Sequence, residues 1–263
     1  MNYDHPPLTA LRVQEWRPFP ATLRTLHKHP ETTASAESSW MVLTDFDGTI
    51  SLNDVTDHVL EHLALPGVER LESQWLNGEL GSRDCLQGQI ALLRASPEML
   101  DAVIDSVAID PGFVSFVELC QQQGISVKIV SDGLDYAISR ILRRHGLGHL
   151  KIAANHLHYL GDHRWELQFP YARPDCKKAS GNCKCARVEQ RQLQGYKILY
   201  IGDSTSDFCV SGQVEMVLAK DKLINYCQEQ RIPHRPIQGF WEARMLLPEL
   251  LQLPQMNARE ARA

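Results

Sequence analysis

The sequence predicts an α/β fold, a doubly wound parallel sheet with a helical cap inserted into it. Three observations predict it. Short apolar, β-forming runs alternate with stretches of helical spacing, which favours parallel strands covered by helices on both faces. Several of those runs end in acidic or hydroxyl residues, as strands do at the ligand-binding edge of an open sheet. Residues 53–108, between the first two runs, carry helical patterns alone.

The first run, Trp40-Met41-Val42-Leu43-Thr44, has the length and composition of a buried strand. It ends in Asp45-Phe46-Asp47-Gly48-Thr49, two carboxylates one residue apart followed by a glycine turn. Val55, Val59, Leu60, Leu63 and Leu65 then recur at helical spacing until Pro66-Gly67. Helical patterns follow over Val68 to Leu76, Ser82 to Leu93 and Pro97 to Val107, the last opened by Ser96-Pro97. Pro111 to Gln123 predicts a helix closed by Gly124.

A second strand, Ile125 to Val130, ends in Ser131-Asp132-Gly133, and a helix from Leu134 to Arg144 follows. Lys151 to Phe169 is β-like around Gly161-Asp162, which suggests a hairpin. Beyond a cysteine-rich loop at 176–185, a helix from Ala186 to Leu193 leads to a third strand, Lys197 to Ile201, ending in Gly202-Asp203-Ser204-Thr205-Ser206-Asp207. Val214 to Ala219 is a further strand, ending in Lys220-Asp221, and Phe240 to Leu253 is amphipathic. Residues 1–38 contain Pro18, Pro20 and Pro30 and end in a Ser/Thr-rich stretch, so they read as an extension with at most a short helix at Ala21 to His27. The expected organisation is an extension at 1–38, a core at 39–52 and 109–263, and a helical cap at 53–108.

A formal net charge of -5 gives no electrostatic footprint for nucleic acid or an anionic membrane, and no apolar run is long enough to span a bilayer. Seven cysteines, an odd number, argue against a fully paired disulfide framework. The first residues lack the basic and apolar stretches of a secretory signal, so a reducing cytoplasm is the expected compartment.

Asp45 and Asp47 carry the chemistry. Two carboxylates this close favour a cation such as Mg²⁺ between them, or a raised pKa on one. One can attack as a nucleophile while the other handles protons. Taken alone, the pair is equally an Asp-rich turn. However, Asp45 with Asp47, Ser131, and Asp203 with Asp207 all stand at predicted strand ends, with Lys184 in a loop nearby. Carboxylates suit Mg²⁺, and a hydroxyl with an ammonium suits phosphate oxygens.

These residues resemble the motifs of the haloacid dehalogenase superfamily, in its phosphatase branch. Asp45-Phe46-Asp47-Gly48-Thr49 is similar to the first motif, Ser131 in Val-Ser-Asp-Gly to the second, Lys184 to the third, and Asp203 with Asp207 to the fourth. The resemblance covers about residues 40–240 and implies a Rossmann-like core whose cap is of the smaller type shared with phosphoserine phosphatases. It implies Asp45 as the nucleophile that forms an aspartyl-phosphate and Asp47 as the acid and base. It also implies Mg²⁺ held by the Asp45 carboxylate, the Asp47 main-chain carbonyl and Asp203, with Asp207 supporting directly or through water. Ser131, Asp132, Gly133 and Lys184 would meet the phosphate. Asp47 resembles the acid of phosphatases and phosphomutases, a position where transport ATPases carry threonine. Ser204 departs from the glycine common in this branch.

The implied substrate is a small phosphorylated metabolite. Phosphoserine phosphatases carry a glutamate where this chain has Asp54, and an arginine where it has Gln89; a neutral amide cannot pair with a carboxylate as a guanidinium does. The Asp54 and Gln89 pattern, with the Cys176–Cys185 loop, resembles the methionine-salvage phosphatases that act on 2-hydroxy-3-keto-5-methylthiopentenyl-1-phosphate. Phosphoserine hydrolysis and phosphoryl transfer to an acceptor other than water remain the alternatives. Asp54 also has the makings of a helix N-cap. Cys176, Cys183 and Cys185 offer three thiolates to Zn²⁺ without an evident fourth ligand, and His58 and His62 lie one helical turn apart. Arg83 and Arg94 face either the ester or solvent.

Overall fold

The computed structural model describes residues 39–251; the extension at 1–38, with its expected helix, and the last residues of the closing segment lie outside the described residues. Strands β1 (Trp40–Thr44), β2 (Ser126–Leu134), β3 (Lys151–Gly161), β4 (Arg164–Gln168), β5 (Lys197–Gly202), β6 (Met216–Ala219) and β7 (His234–Pro236) form one sheet in the order β4-β3-β2-β1-β5-β6-β7. Every neighbouring pair is parallel except β3 with β4. The expected α/β class is therefore the one observed, with the hairpin as an antiparallel edge. Its turn is made by Asp162 and His163, with φ of 50° and 59°, the double left-handed pair of a type I′ turn.

β1 is central because both its faces are apolar. Val42 packs into the larger core, while Met41 and Leu43 pack into a second core with Val188, Ile198 and Tyr200. The alternation follows from the two-residue period of a strand. Helices α5 (Phe113–Gln122), α6 (Asp135–Arg144) and α10 (Phe240–Leu250) cover the first face; α7 (Lys184–Gln192), α8 (Phe208–Ser211) and α9 (Asp221–Glu229) cover the other. Phe240 meets Phe113 edge to face at 4.8 Å and Phe116 at a tilt at 5.2 Å, anchoring α10 against α5.

Four helices lie between β1 and α5: α1 (Val55–Leu63), α2 (Val68–Leu76), α3 (Ser82–Ala91) and α4 (Pro97–Asp105). The chain leaves and re-enters the core through a paired ribbon. Leu52 N donates to Ala108 O at 3.1 Å, and Asp110 N to Ile50 O at 2.8 Å. The helices also rest on the hairpin, where the buried Trp165 Nε1 donates to Ala95 O at 2.9 Å.

Several elements differ from the sequence reading. β2 runs on to Leu134 and so takes in Ser131-Asp132-Gly133, and α8 and α9 lie where no helix was expected. α3 ends at Ala91 rather than Leu93, because Leu93 and Arg94 leave the helix to bridge Ala64 and Arg164. β7 carries no apolar alternation and includes Pro236; it exists because the outer edge of β6 offers it main-chain partners.

Candidate active site

The carboxyl ends of β1, β2 and β5 converge, as parallel pairing requires. Asp45 is 4% exposed. Its Oδ1 accepts from Phe46 N at 2.7 Å and its Oδ2 from Lys184 Nζ at 2.5 Å. Lys184 opens α7, so it sits on the first turn of a helix and not in the loop that the sequence suggested. Its ammonium is also buried and donates to Asp207 Oδ1 at 2.6 Å and Ser206 Oγ at 2.8 Å. Burial opposes that charge, but Asp207 and Asp45 outweigh it and raise the lysine's pKa.

Asp203 stands across from Asp45. Its Oδ1 accepts from Thr49 Oγ1 at 2.6 Å. Gly48 is obligatory there twice over: φ is +73°, and a Cβ would come within 2.6 Å of Asp203 Oδ2. Ligand atoms of Asp45, Asp203 and Asp207 all lie within 4.8 Å of one another. Burial, reinforced by Asp207 and Asp203, pushes Asp45 up to about 8 even against Lys184; burial and Asp207 push Asp203 up to about 6. Three crowded carboxylates with one ammonium between them are short of positive charge, and an oxygen donor set of this kind fits Mg²⁺.

Asp207 belongs to that cluster by distance but is fully buried and already saturated. Lys184 and Tyr200 OH, each at 2.6 Å, fill Oδ1; the N–H groups of Asp203 and Ser204, at 3.0 Å and 3.2 Å, fill Oδ2. It holds the loop after β5 and the catalytic-edge lysine together. Ser204 lies in extended backbone, φ -131°, which serine adopts without strain, so its departure from glycine leaves the loop intact.

Asp47 follows one residue after Phe46. Its Oδ1 accepts from Val55 N, the first residue of α1, at 2.9 Å, and its Oδ2 faces Ser131 Oγ at 3.4 Å. Burial, then the charges of Asp54 and Asp45, raise its pKa well above the ordinary carboxylate range. Ser131 is buried, and its Oγ accepts from Gly133 N at 3.0 Å. Gly133 lies so close to Asp47 Oδ2 that any side chain there would collide with it. The Asp132 carboxylate turns to the scaffold, accepting from Asn182 N at 2.8 Å and Asn155 Nδ2 at 3.2 Å. Any contribution to anion binding is thus left to its main chain.

Asp54 is the N-cap of α1 and also faces the cavity beside Asp45 and Asp47. It accepts from Asp57 N at 3.0 Å, and the cavity has a volume of about 260 Å³. Gln89 lines the same cavity; Arg83 and Arg94 do not. Arg83 pairs with Asp84 at 3.3 Å, and Arg94 donates to the carbonyls of Ala91 and Leu93. The sulfurs of Cys176, Cys183 and Cys185 do not all lie within 4.8 Å of one another; Cys183 pairs with Cys176, and Cys185 with Cys209. Among the described residues, the other group with three ligand atoms in range is His58, Glu61 and His62 on α1.

Several residues at this edge escaped the sequence reading. Lys220 follows β6 at the N-cap of α9 and donates to the carbonyls of Gly48 and Thr49 at 2.8 Å and 3.1 Å, fixing the turn that carries Asp47. Its position at the end of an apolar strand was the available signal. Asn182 donates to Ser131 O and Ala153 O, tying the 176–185 loop to β2 and β3. Tyr200 and Asn155 left no signal, since each acts from within a strand.

Comparison with known proteins agrees with this geometry. The family model of haloacid dehalogenase-like hydrolases matches residues 42–211. A 2-hydroxy-3-keto-5-methylthiopentenyl-1-phosphate phosphatase of Bacillus cytotoxicus is 28% identical over 219 residues, 82% of this chain and 99% of its own. The protein of that name in Geobacillus kaustophilus is 30% identical over 203 residues, 75% of this chain and 90% of its own. Among solved structures, a phospho-aspartyl intermediate analogue of phosphoserine phosphatase superposes with a TM-score of 0.60 at 18% identity, over 81% of this chain and 99% of that one. At that identity the likeness speaks to the fold alone. The family match spans well over half of the sequence and takes in both carboxylate-bearing strand ends, so the chain belongs to the haloacid dehalogenase-like hydrolases and is one of their phosphatases.

Proposed function

We propose that the protein hydrolyses the phosphate monoester of a small metabolite through an aspartyl-phosphate on Asp45, with Mg²⁺ as cofactor. The observation that carries this reading is the meeting of Asp45, Asp47, Lys184 and Asp203, far apart in sequence, at one sheet edge beneath a cavity. An Asp45 carboxylate oxygen attacks phosphorus, and the bond from phosphorus to the ester oxygen breaks. Asp47, held protonated by burial and by its acidic neighbours, gives its proton to the departing oxygen. It then takes a proton from the water that attacks the aspartyl-phosphate, releasing inorganic phosphate and restoring both carboxyl groups.

Lys184 and Ser131 hold phosphate oxygens, joined by the main-chain N–H group of Asp132, while the Gly133 N–H orients the Ser131 hydroxyl. Asp45, Asp203 and the Asp47 main-chain carbonyl would hold Mg²⁺, with Asp207 orienting the loop behind them. When bound, the ion supplies positive charge that offsets the repulsion between nucleophile and phosphate.

For the leaving group, 2-hydroxy-3-keto-5-methylthiopentenyl-1-phosphate fits better than phosphoserine. Relatives named for that ester are 27% to 30% identical. Gln89, with Leu86 and Cys85, offers a neutral wall where a carboxylate would need a cation. Seven free cysteines support a reducing, cytoplasmic setting.

The test is phosphate release from a panel holding both esters. The expected result is Mg²⁺-dependent release, strongest on the methylthio ester and lost in Asp45→Asn. Full turnover in that variant, or with excess EDTA, overturns the mechanism; preference for phosphoserine overturns the substrate.

A further inference from the structure

The outer stripe of α1 carries chemistry that the phosphatase site does not use. Val55, Thr56, Val59 and Leu60 bury one side of this helix. That leaves His58, Glu61 and His62, at i, i+3 and i+4, together on the other side. One ligand atom from each of the three lies within 4.8 Å of the other two, and the histidine ring centroids are 4.4 Å apart. Ligands held tetrahedrally at about 2.0–2.2 Å from zinc stand about 3.3–3.6 Å from one another, so small side-chain torsions close this group on an ion. Glu61 also adds to the negative charge felt by Asp57 one turn back, and a cation there relieves that repulsion.

A second observation comes from the far side of each ring. Ser106, the C-cap of α4, donates its hydroxyl proton to Val103 O at 2.7 Å. Its oxygen is therefore an acceptor toward His58 Nε2, 2.9 Å away, and Nε2 carries the proton. His62 Nδ1 lies 2.8 Å from His58 O, a carbonyl with no proton to give, so here Nδ1 is the donor. The two neutral rings are thus fixed in opposite tautomers, with the lone pairs left on His58 Nδ1 and His62 Nε2. Metal-bound imidazoles are held in this way, one nitrogen on the ion and the other donating to a protein oxygen.

We propose that His58, Glu61 and His62 bind one divalent transition-metal ion, Zn²⁺ by preference, apart from the Mg²⁺ site proposed at Asp45 and Asp203. Two imidazoles and a carboxylate suit Zn²⁺, whereas Mg²⁺ takes oxygen donors and keeps several waters. Three protein ligands leave the fourth tetrahedral position to water. The ion ties successive turns of α1 and, through the His58 bond to Ser106, braces that helix against α4. It acts as a staple on the inserted helices.

Titration of the full chain with Co²⁺ tests this, in excess Mg²⁺ so that the oxygen site is filled. Tetrahedral Co²⁺ absorbs in the visible, and thiolate ligands add a near-ultraviolet charge-transfer band that imidazole and carboxylate lack. The expected result is one equivalent with the visible absorption and without the thiolate band, displaced by Zn²⁺. His58→Ala combined with His62→Ala is expected to remove that equivalent, while Zn²⁺ raises the melting temperature of the wild-type chain and not that of the double variant. Ser106→Ala leaves all three ligands in place and removes only the bond behind His58, so it should weaken Co²⁺ binding about tenfold. Absence of any equivalent without the thiolate band overturns the site. So does an affinity that the double variant leaves within about threefold of wild type, less than the loss of a supporting partner alone would cost. A Zn²⁺ melting shift that persists in the double variant also overturns it; in each case the phosphatase reading stands.

Discussion

Asp207→Asn keeps the shape of the side chain but leaves it without a satisfactory orientation. If the amide nitrogen takes the place of Oδ2, it faces the N–H groups of Asp203 and Ser204, which cannot turn away. If it takes the place of Oδ1, it faces the Lys184 ammonium at 2.6 Å, and only the Tyr200 hydroxyl can rotate to accept. Either way one carboxylate charge is lost opposite a buried ammonium that keeps its own. Breaking such a buried pair costs about 3–5 kcal/mol. For a domain of this size the melting temperature falls by roughly 6–20 °C.

Asp203→Asn is the contrast. Its one side-chain donor, Thr49, is served equally well by an amide oxygen, so melting should shift by no more than about 3 °C while activity is lost. Thermal and urea melts followed by circular dichroism, in EDTA so that metal loss does not intrude, measure both. Melting of Asp207→Asn within about 2 °C of wild type would falsify the assignment of this residue to holding the loop.

Two further outcomes follow from the same edge. Asp45 and Asp203 have folded pKa values raised to about 8 and about 6, so between their unfolded value near 4 and those values the folded chain binds more protons than the unfolded chain. Stability in EDTA should therefore decline from pH 5 to pH 8, and Mg²⁺ should raise the melting temperature more at pH 8 than at pH 6; equal Mg²⁺ shifts at both would contradict the crowding argument. Gly133→Ala places a methyl against Asp47 Oδ2, so kcat should fall about a hundredfold, as expected for an ångström-scale displacement of a reacting group, with little change in melting; unaltered kcat would show that Asp47 tolerates displacement.

Much of this architecture was legible because it rests on local signals. An apolar run fixed each central strand, and a parallel sheet then brings Asp45, Ser131 and Asp203 to one edge without further information. The division of labour within the acidic cluster was not legible. Whether Asp203 or Asp207 keeps a free oxygen depends on Tyr200 and Lys184, which reach Asp207 from another strand and another helix. β7 was hidden for a similar reason, since its hydrogen bonds come from β6 rather than from its own composition.

The bond from Val55 N to Asp47 Oδ1 joins the first turn of the inserted helices to the carboxyl proposed to handle protons. The two-stranded ribbon at Ile50–Leu52 and Ala108–Asp110 is their covalent route to the core. The same helices are held from the core side as well, by Tyr136 and Arg140 of α6 on Asp101 and Asp105 of α4. An ester large enough to displace the first turn of α1 would carry the Asp47 carboxyl with it, so the fit of the substrate and the aim of that carboxyl are set by one hydrogen bond.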